Sequence, residues 1–180
     1  MVQYTWKRAS CFPITALLLG MVLLASAGTP TFGASAQASK LLQDVKMSAT
    51  QMRRDAAQMQ TYIASKVTWK SHAMQINTIK EHINNAGKVL AELHDARDGA
   101  EPWQQDAIDK ITPLLQEMAS NTESIINHLN DNKQTWHPGY TGYVRSNAEL
   151  SDDLAKLIGD YIDYGNAKNR TRELGKKMGM

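Results

Sequence analysis

Residues 69–97 read WKSHAMQINTIKEHINNAGKVLAELHDAR, and within them Trp69, His72, Ile76, Ile79, Ile83, Ala86, Leu90, Leu93 and Arg97 recur at intervals of three and four. That interval places them on one face of a long helix, because 3.6 residues complete a turn. Three further stretches repeat the pattern. Leu42, Val45, Ala49, Met52, Ala56, Met59 and Ile63 mark a first helix from about Ser39 to Ala64, with the alternation of three and four that coiled-coil seams also show. Ile108, Ile111, Leu115, Met118, Thr122, Ile125 and Leu129 mark a third, and Leu150, Leu154, Leu157, Ile158, Tyr161 and Tyr164 a fourth, which Gly165 is expected to end. Four apolar stripes joined by short breaks predict an all-α protein, an antiparallel up-down-up-down four-helix bundle, with Ile83 and Ile111 among its buried positions.

The breaks carry their own signals. Thr68 is placed to cap the second helix. Asp98-Gly99-Ala100-Glu101-Pro102 stops the second helix near Arg97 and starts the third with proline in its first turn. Pro113 falls inside the third helix, where a missing N–H and a crowded carbonyl predict a kink near Asp109 to Thr112 but no stop, since the apolar phase continues across it. From Lys133 to Arg145 the pattern lapses in the longest and most aromatic connection. Ser146 and Glu149 then have the spacing of a capping box for the fourth helix.

Ahead of all this, Lys7 and Arg8 precede an apolar run from Ile14 to Ala27, followed by two small-x-small sites, Ala25-Ser26-Ala27 and Ala34-Ser35-Ala36. This is the order of a cleaved signal peptide, and the run is short for a membrane span, which needs about 20 residues. Gly28, Pro30 and Gly33 favour the second site, because they suggest an extended approach to the peptidase. The expected organisation is therefore a signal peptide over 1–36, a bundle domain over 37–165 and a mobile basic tail over 166–180. The mature chain would then be exported to a periplasmic or secreted location, with no transmembrane span. Cleavage removes Cys11, the only cysteine, and with it any disulfide, thiolate nucleophile or covalent haem attachment.

The chain has 20 basic and 18 acidic residues, and the excess lies in Lys7 and Arg8. A neutral mature protein offers no electrostatic case for nucleic acid. Charge is nonetheless uneven: Lys168, Arg170, Arg172, Lys176 and Lys177 face only Glu173 in the last fifteen residues. This tail is either a solvated end or a contact for an acidic surface.

Candidate chemistry gathers at one end. If the second and third helices turn about residue 100, His72 lies level with His128; a similar construction about residue 139 brings Glu149 to that level, with His137 in the connection. His72, His128, His137 and Glu149 are thus candidate ligands for a divalent metal, although no His-x-x-x-His or Glu-x-x-His pair occurs on any helix. Small exported bundles of the cytochrome b562 type hold haem with Met and His from different helices. This chain is similar to them in expected architecture alone, and the residues that would serve are Met52, Met59, His72 and His128. The plainer reading gives no cofactor, with one core histidine and two at the surface. Trp136, His137, Tyr140 and Tyr143 form either a ligand-binding loop or a hydrophobic lid over the open end of the bundle. There is no Gly-x-Ser-x-Gly turn, phosphate-binding glycine loop or paired-carboxylate signature. The expected function is a non-enzymatic binding or structural module of the cell envelope or secreted space, with a metal or haem carrier as the alternative.

Overall fold

The structure, a computed structural model, describes residues 32–179. The expected signal peptide lies, up to residue 31, outside this range. Four helices make up the described chain: α1 (Phe32–Ala64), α2 (Trp69–Ala96), α3 (Pro102–Asp131) and α4 (Pro138–Lys177), with a short 3-10 turn, Arg97–Gly99, between α2 and α3. The described residues contain no strand, and no described helix is long and apolar enough to cross a membrane.

The helices pack side by side as a four-helix bundle does: α1 and α3 each lie against both α2 and α4, and touch each other little. The stripes read from the sequence line the core. Ile76, Ile79, Ile83, Ala86, Leu90 and Leu93 of α2 and Ile108, Ile111, Leu115, Met118, Ile125 and Leu129 of α3 are all buried. Burying one such aliphatic side chain stabilises by about 1.5–3 kcal/mol, so these stripes hold the helices together. Pro113 lies within α3, which continues on both sides of it.

Helix ends depart from expectation in ways that share a cause. The first helix begins at Phe32, seven residues before Ser39, so the boundary at Ala36 falls inside α1. Of the three residues that suggest an extended approach, Gly33 is the one described, and it lies within α1, whose neighbouring small residues pack closely. Ala38 is buried, the Ser35 carbonyl accepts a 2.8 Å hydrogen bond from Gln104 Nε2, and Ala34 lies so near Gly99 that a Cβ added there would be 2.6 Å from it. Thr68 makes no side-chain cap to α2, its hydroxyl lying 3.4 Å from that of Ser71.

The capping box stands at the start of α3. Gln104 Oε1 accepts from the backbone of Glu101, whose own side chain accepts from the residue 104 backbone. Ser146, expected to cap the fourth helix, is inside it and accepts from Asn121 Nδ2 at 2.9 Å. That helix starts at Pro138, a residue suited to a first turn, with His137 as its cap. The irregular connection therefore shrinks to residues 132–137.

Gly165 does not end α4, which runs on to Lys177. It is buried against Trp103, where a Cβ would meet the indole at 2.5 Å, so its role is to let two helices approach and not to stop one. Beyond it, the expected basic tail is helical to Lys177, and Lys168 and Arg172 bond Glu101 at 2.7 and 3.1 Å. Lys168 foremost, with Arg172 and Trp103, holds the Glu101 carboxyl below its usual range against the opposing effect of burial.

The buried face of α4 also differs from the stripe expected for it. It comprises Tyr140, Val144, Asn147, Ser151, Leu154, Ile158 and Gly165, while Leu150, Leu157 and Tyr161 are half-buried and Tyr164 is exposed. Three of these seven are not apolar, so an apolar count misplaces the phase. Asn147 Nδ2 donates to Thr122 Oγ1 at 2.8 Å, although its Oδ1 is buried without a partner, and Ser151 Oγ donates to the Ala148 carbonyl at 2.9 Å.

Candidate functional site

One end of the bundle collects the α1–α2 turn, residues 65–68, and the α3–α4 connection. Tyr140, in the first turn of α4, is wholly buried and plugs this end of the core. Its hydroxyl lies 2.7 Å from Nδ1 of His72, itself wholly buried on α2. Either partner can be the donor, depending on which nitrogen of the neutral imidazole carries the proton. Tyr62 of α1 meets the His72 ring edge-on at 5.7 Å between centroids, and the Tyr140 ring lies 5.6 Å from His72 and 5.5 Å from His128. All four helices thus converge on one aromatic cluster.

The His72–Tyr140 pair at the centre of the cluster is enclosed, both residues being wholly buried. His72 Nε2 is buried without a hydrogen-bond partner, and burial lowers the pKa of the ring, a backbone contact with Tyr62 opposing. Burial likewise raises that of the Tyr140 hydroxyl. Both groups are therefore held neutral, as partners in packing.

A pH dependence of folding follows. The unfolded chain takes up a proton on His72 near pH 6.5, whereas the folded chain resists until a lower pH. The contribution is complete above the unfolded value and is lost as pH falls below it. Urea unfolding between about pH 7.5 and pH 5.5 should show stability falling on acidification, by at most about 1.4 kcal/mol per pH unit from this group. His72→Gln should flatten the slope. Equal slopes in the two proteins would remove His72 as the cause.

The other candidate ligands are not gathered. His128 Nε2 donates to the Gln134 carbonyl at 2.8 Å and His137 Nδ1 accepts from the Gly139 backbone at 3.1 Å, so one nitrogen of each of the three rings already has a partner. His128 and His137 do stack, with centroids 5.1 Å apart. Glu149 lies nine residues beyond Tyr140, about 14 Å along the helix. There it lines an open groove between α1 and α4 with Arg53, Gln60, Asp152 and Asp153. Among the described residues, no group of three or more His, Cys, Asp or Glu is placed to hold a metal ion. The level construction errs because α4 starts eight residues before Ser146, which brings Tyr140, and not Glu149, level with the histidines. Met52 and Met59, proposed for haem, are buried in the α1 seam with the apolar core packed about them.

The aromatic connection divides in two. Tyr140 is the plug, whereas Trp136 is 72% exposed and Tyr143 is 40% exposed, with His137 also at the surface. Of the four residues expected to form a lid or a ligand loop, Tyr140 alone is buried. Apolarity alone does not separate them; Tyr140 faces the core because it falls on the phase of Val144, Asn147 and Ser151.

Two features of this end carry no sequence motif. Lys133 Nζ sits over the Trp69 ring, 5.0 Å from its centroid, an arrangement that attracts a cation to the ring face. Lys66 and Lys133 both have positive φ, 52° and 54°, where glycine is the usual residue after a helix. Elsewhere, Asp55 on α1 accepts from His82 Nδ1 at 2.6 Å and from Gln75 at 3.1 Å, a half-buried dyad that joins α1 to α2. No protein-family model, curated protein or solved structure matches this chain.

Proposed function

We propose that the chain is an exported, non-enzymatic binding module, an antiparallel up-down-up-down four-helix bundle that presents its α1–α2 and α3–α4 end to a partner in the cell envelope. The antiparallel order is supported by pairs whose numbers rise in one helix as they fall in the next. Tyr62 meets His72 while Asp55 meets His82; His94 meets Thr112 while Arg97 meets Asp109; Asn121 meets Ser146 while Asp106 meets Tyr161; Lys46 lies near Gly159 while Arg53 meets Asp152. The non-enzymatic reading is supported by His72 and Tyr140 being enclosed and bonded to each other.

The observation that carries the binding reading is Trp136. A tryptophan 72% exposed on a connection, next to a tyrosine that fills the core, contributes little to folding and is a suitable anchor for a partner. Export rests on the N-terminal pattern, and because Ala36 lies within α1, we place cleavage after Ala27, which leaves that helix whole.

Fractionation of cells that export the chain tests both points. The wild type should be recovered with the envelope and begin at Gly28. The double variant Trp136→Ala, Tyr143→Ala should be exported in equal amount, unfold within about 0.5 kcal/mol of the wild type, and move to the soluble exported fraction. A variant that stays with the envelope removes Trp136 as the anchor, and an intact Met1 on cytoplasmic protein removes export.

A further inference from the structure

The two connections at this end have an unusual charge balance. Across residues 62–72 and 128–145 the chain carries Lys66, Lys70, Lys133 and Arg145 against one acidic residue, Asp131. All four cations are exposed, and none pairs with a carboxylate among the described residues. At the opposite end Lys168 and Arg172 converge on Glu101, and Arg97 on Asp109. Other cations, among them Lys80, Lys88 and Lys156, also lack a carboxylate partner among the described residues; what sets this end apart is that its four cations are accompanied by a single acidic residue.

The backbone places two of these charges. Lys66 and Lys133 follow the C-termini of α1 and α3 in the left-handed conformation. Glycine would occupy it more easily, since a Cβ is crowded there. Lysine complements the helix dipole, but that benefit is equally available from a lysine inside the last turn, and α1 has no basic residue there. The common consequence is that both lysines stand just beyond the helix ends, in the two connections of this end, with the Lys133 ammonium over Trp69.

Resting on the binding-module reading, the geometry points to an anionic phospholipid bilayer as the partner, met end-on by Trp136 and Tyr143 at headgroup depth and by Lys66, Lys70, Lys133 and Arg145 at the lipid phosphates. Tryptophan and tyrosine favour the bilayer interface because the ring is apolar and its tip polar. Lysine and arginine extend apolar stems alongside them while the charge stays wet. A small ligand would want a concave site that encloses most of its surface, and a tryptophan 72% exposed on a turn does not supply one. Charge on this end is predominantly positive, four cations to one carboxylate, and so complementary to a sheet of phosphates. Each cation near such a surface is worth roughly a five-fold gain in affinity, and that gain is screened by salt.

The test uses the purified exported chain and two vesicle preparations, phosphatidylcholine alone and phosphatidylcholine mixed two to one with phosphatidylglycerol. Co-sedimentation should occur with the mixed vesicles, weaken as salt is raised, and be absent with phosphatidylcholine. Brominated phosphatidylcholine included in the mixed vesicles should quench part of the tryptophan emission, and Trp136→Phe should abolish most of that quenching. The double variant Lys66→Gly, Lys133→Gly should bind at least ten-fold more weakly while its unfolding temperature is unchanged or higher, because glycine relieves both backbone sites. Lys66→Gln with Lys133→Gln, which removes the charge but keeps an unbranched polar side chain, should show the same loss.

Equal binding to both vesicle types, undiminished binding by both lysine variants, or no binding to the mixed vesicles would each overturn the lipid assignment. So would tight binding of a soluble anionic polysaccharide without vesicle binding. Envelope association that depends on Trp136 and persists in any of these cases would leave the binding-module reading standing with a different partner.

Discussion

Tyr140→Ala is expected to destabilise the protein by about 3–5 kcal/mol, the range for removing a large aromatic ring from a core. The residue is wholly buried, touches His72 and His128, and closes one end of the bundle. Truncation opens a void lined by these rings and leaves His72 Nδ1 without its partner, in addition to the Nε2 that has none. Tyr140→Phe separates the two contributions. It keeps the ring and removes only the hydroxyl, so its expected cost is that of an unpaired buried nitrogen, about 1–3 kcal/mol. Urea unfolding of the three proteins at neutral pH measures both. A loss below about 1 kcal/mol for Tyr140→Ala would mean that the end of the bundle collapses around the missing ring or was never closed by it.

Ile111→Ala should cost about 2–5 kcal/mol. Ile111 is wholly buried two residues before Pro113, with Ile108 and Leu115 buried on either side of it. A helix that passes a proline loses one backbone hydrogen bond, and a change of direction there can rotate its apolar face away from the core. In α3 the face stays in phase, since Ile111, Leu115 and Met118 are all buried. The neighbouring Lys110 is exposed and pairs only with Asp106, at 3.6 Å. Lys110→Ala should therefore stay within about 0.5 kcal/mol of the wild type, the ordinary range for surface changes. Similar losses at 110 and 111 would place Ile111 outside the packed seam. Unchanged denaturant slopes are needed for the comparison, because a shift in slope would signal a change in the unfolded state instead.

The candidate site was legible in location but not in membership. Reading His72 beside His128 leads to the correct end of the bundle, because helix lengths and short connections constrain which turns lie together. It misassigns the partner. His72 pairs with Tyr140, since α4 begins at Pro138, and a displacement of eight residues is more than two helical turns. Ser146 and Glu149 have the spacing of a capping box, yet a spacing match cannot tell a helix start from a helix interior when both contain Ser, Asn and Glu. The cations of this end carry no local sequence signal for another reason. Lys66 and Lys133 lie 67 residues apart in the chain, and only their shared positive φ and the contact of Lys133 with Trp69 associate them.

By itself the sequence determined the helical class and the core faces of α2 and α3, because the three-four recurrence of Ile, Leu and Ala is a local pattern whose burial on one side is required wherever the helix packs. The tertiary structure alone decided which of Trp136, Tyr140 and Tyr143 fills the core, whether Gly165 stops a helix or admits Trp103, and how far α1 and α4 extend. Each of these depends on the shape of a surface supplied by another helix. A glycine or an aromatic side chain has the same local preferences in both outcomes, and only the neighbour that meets it selects between them.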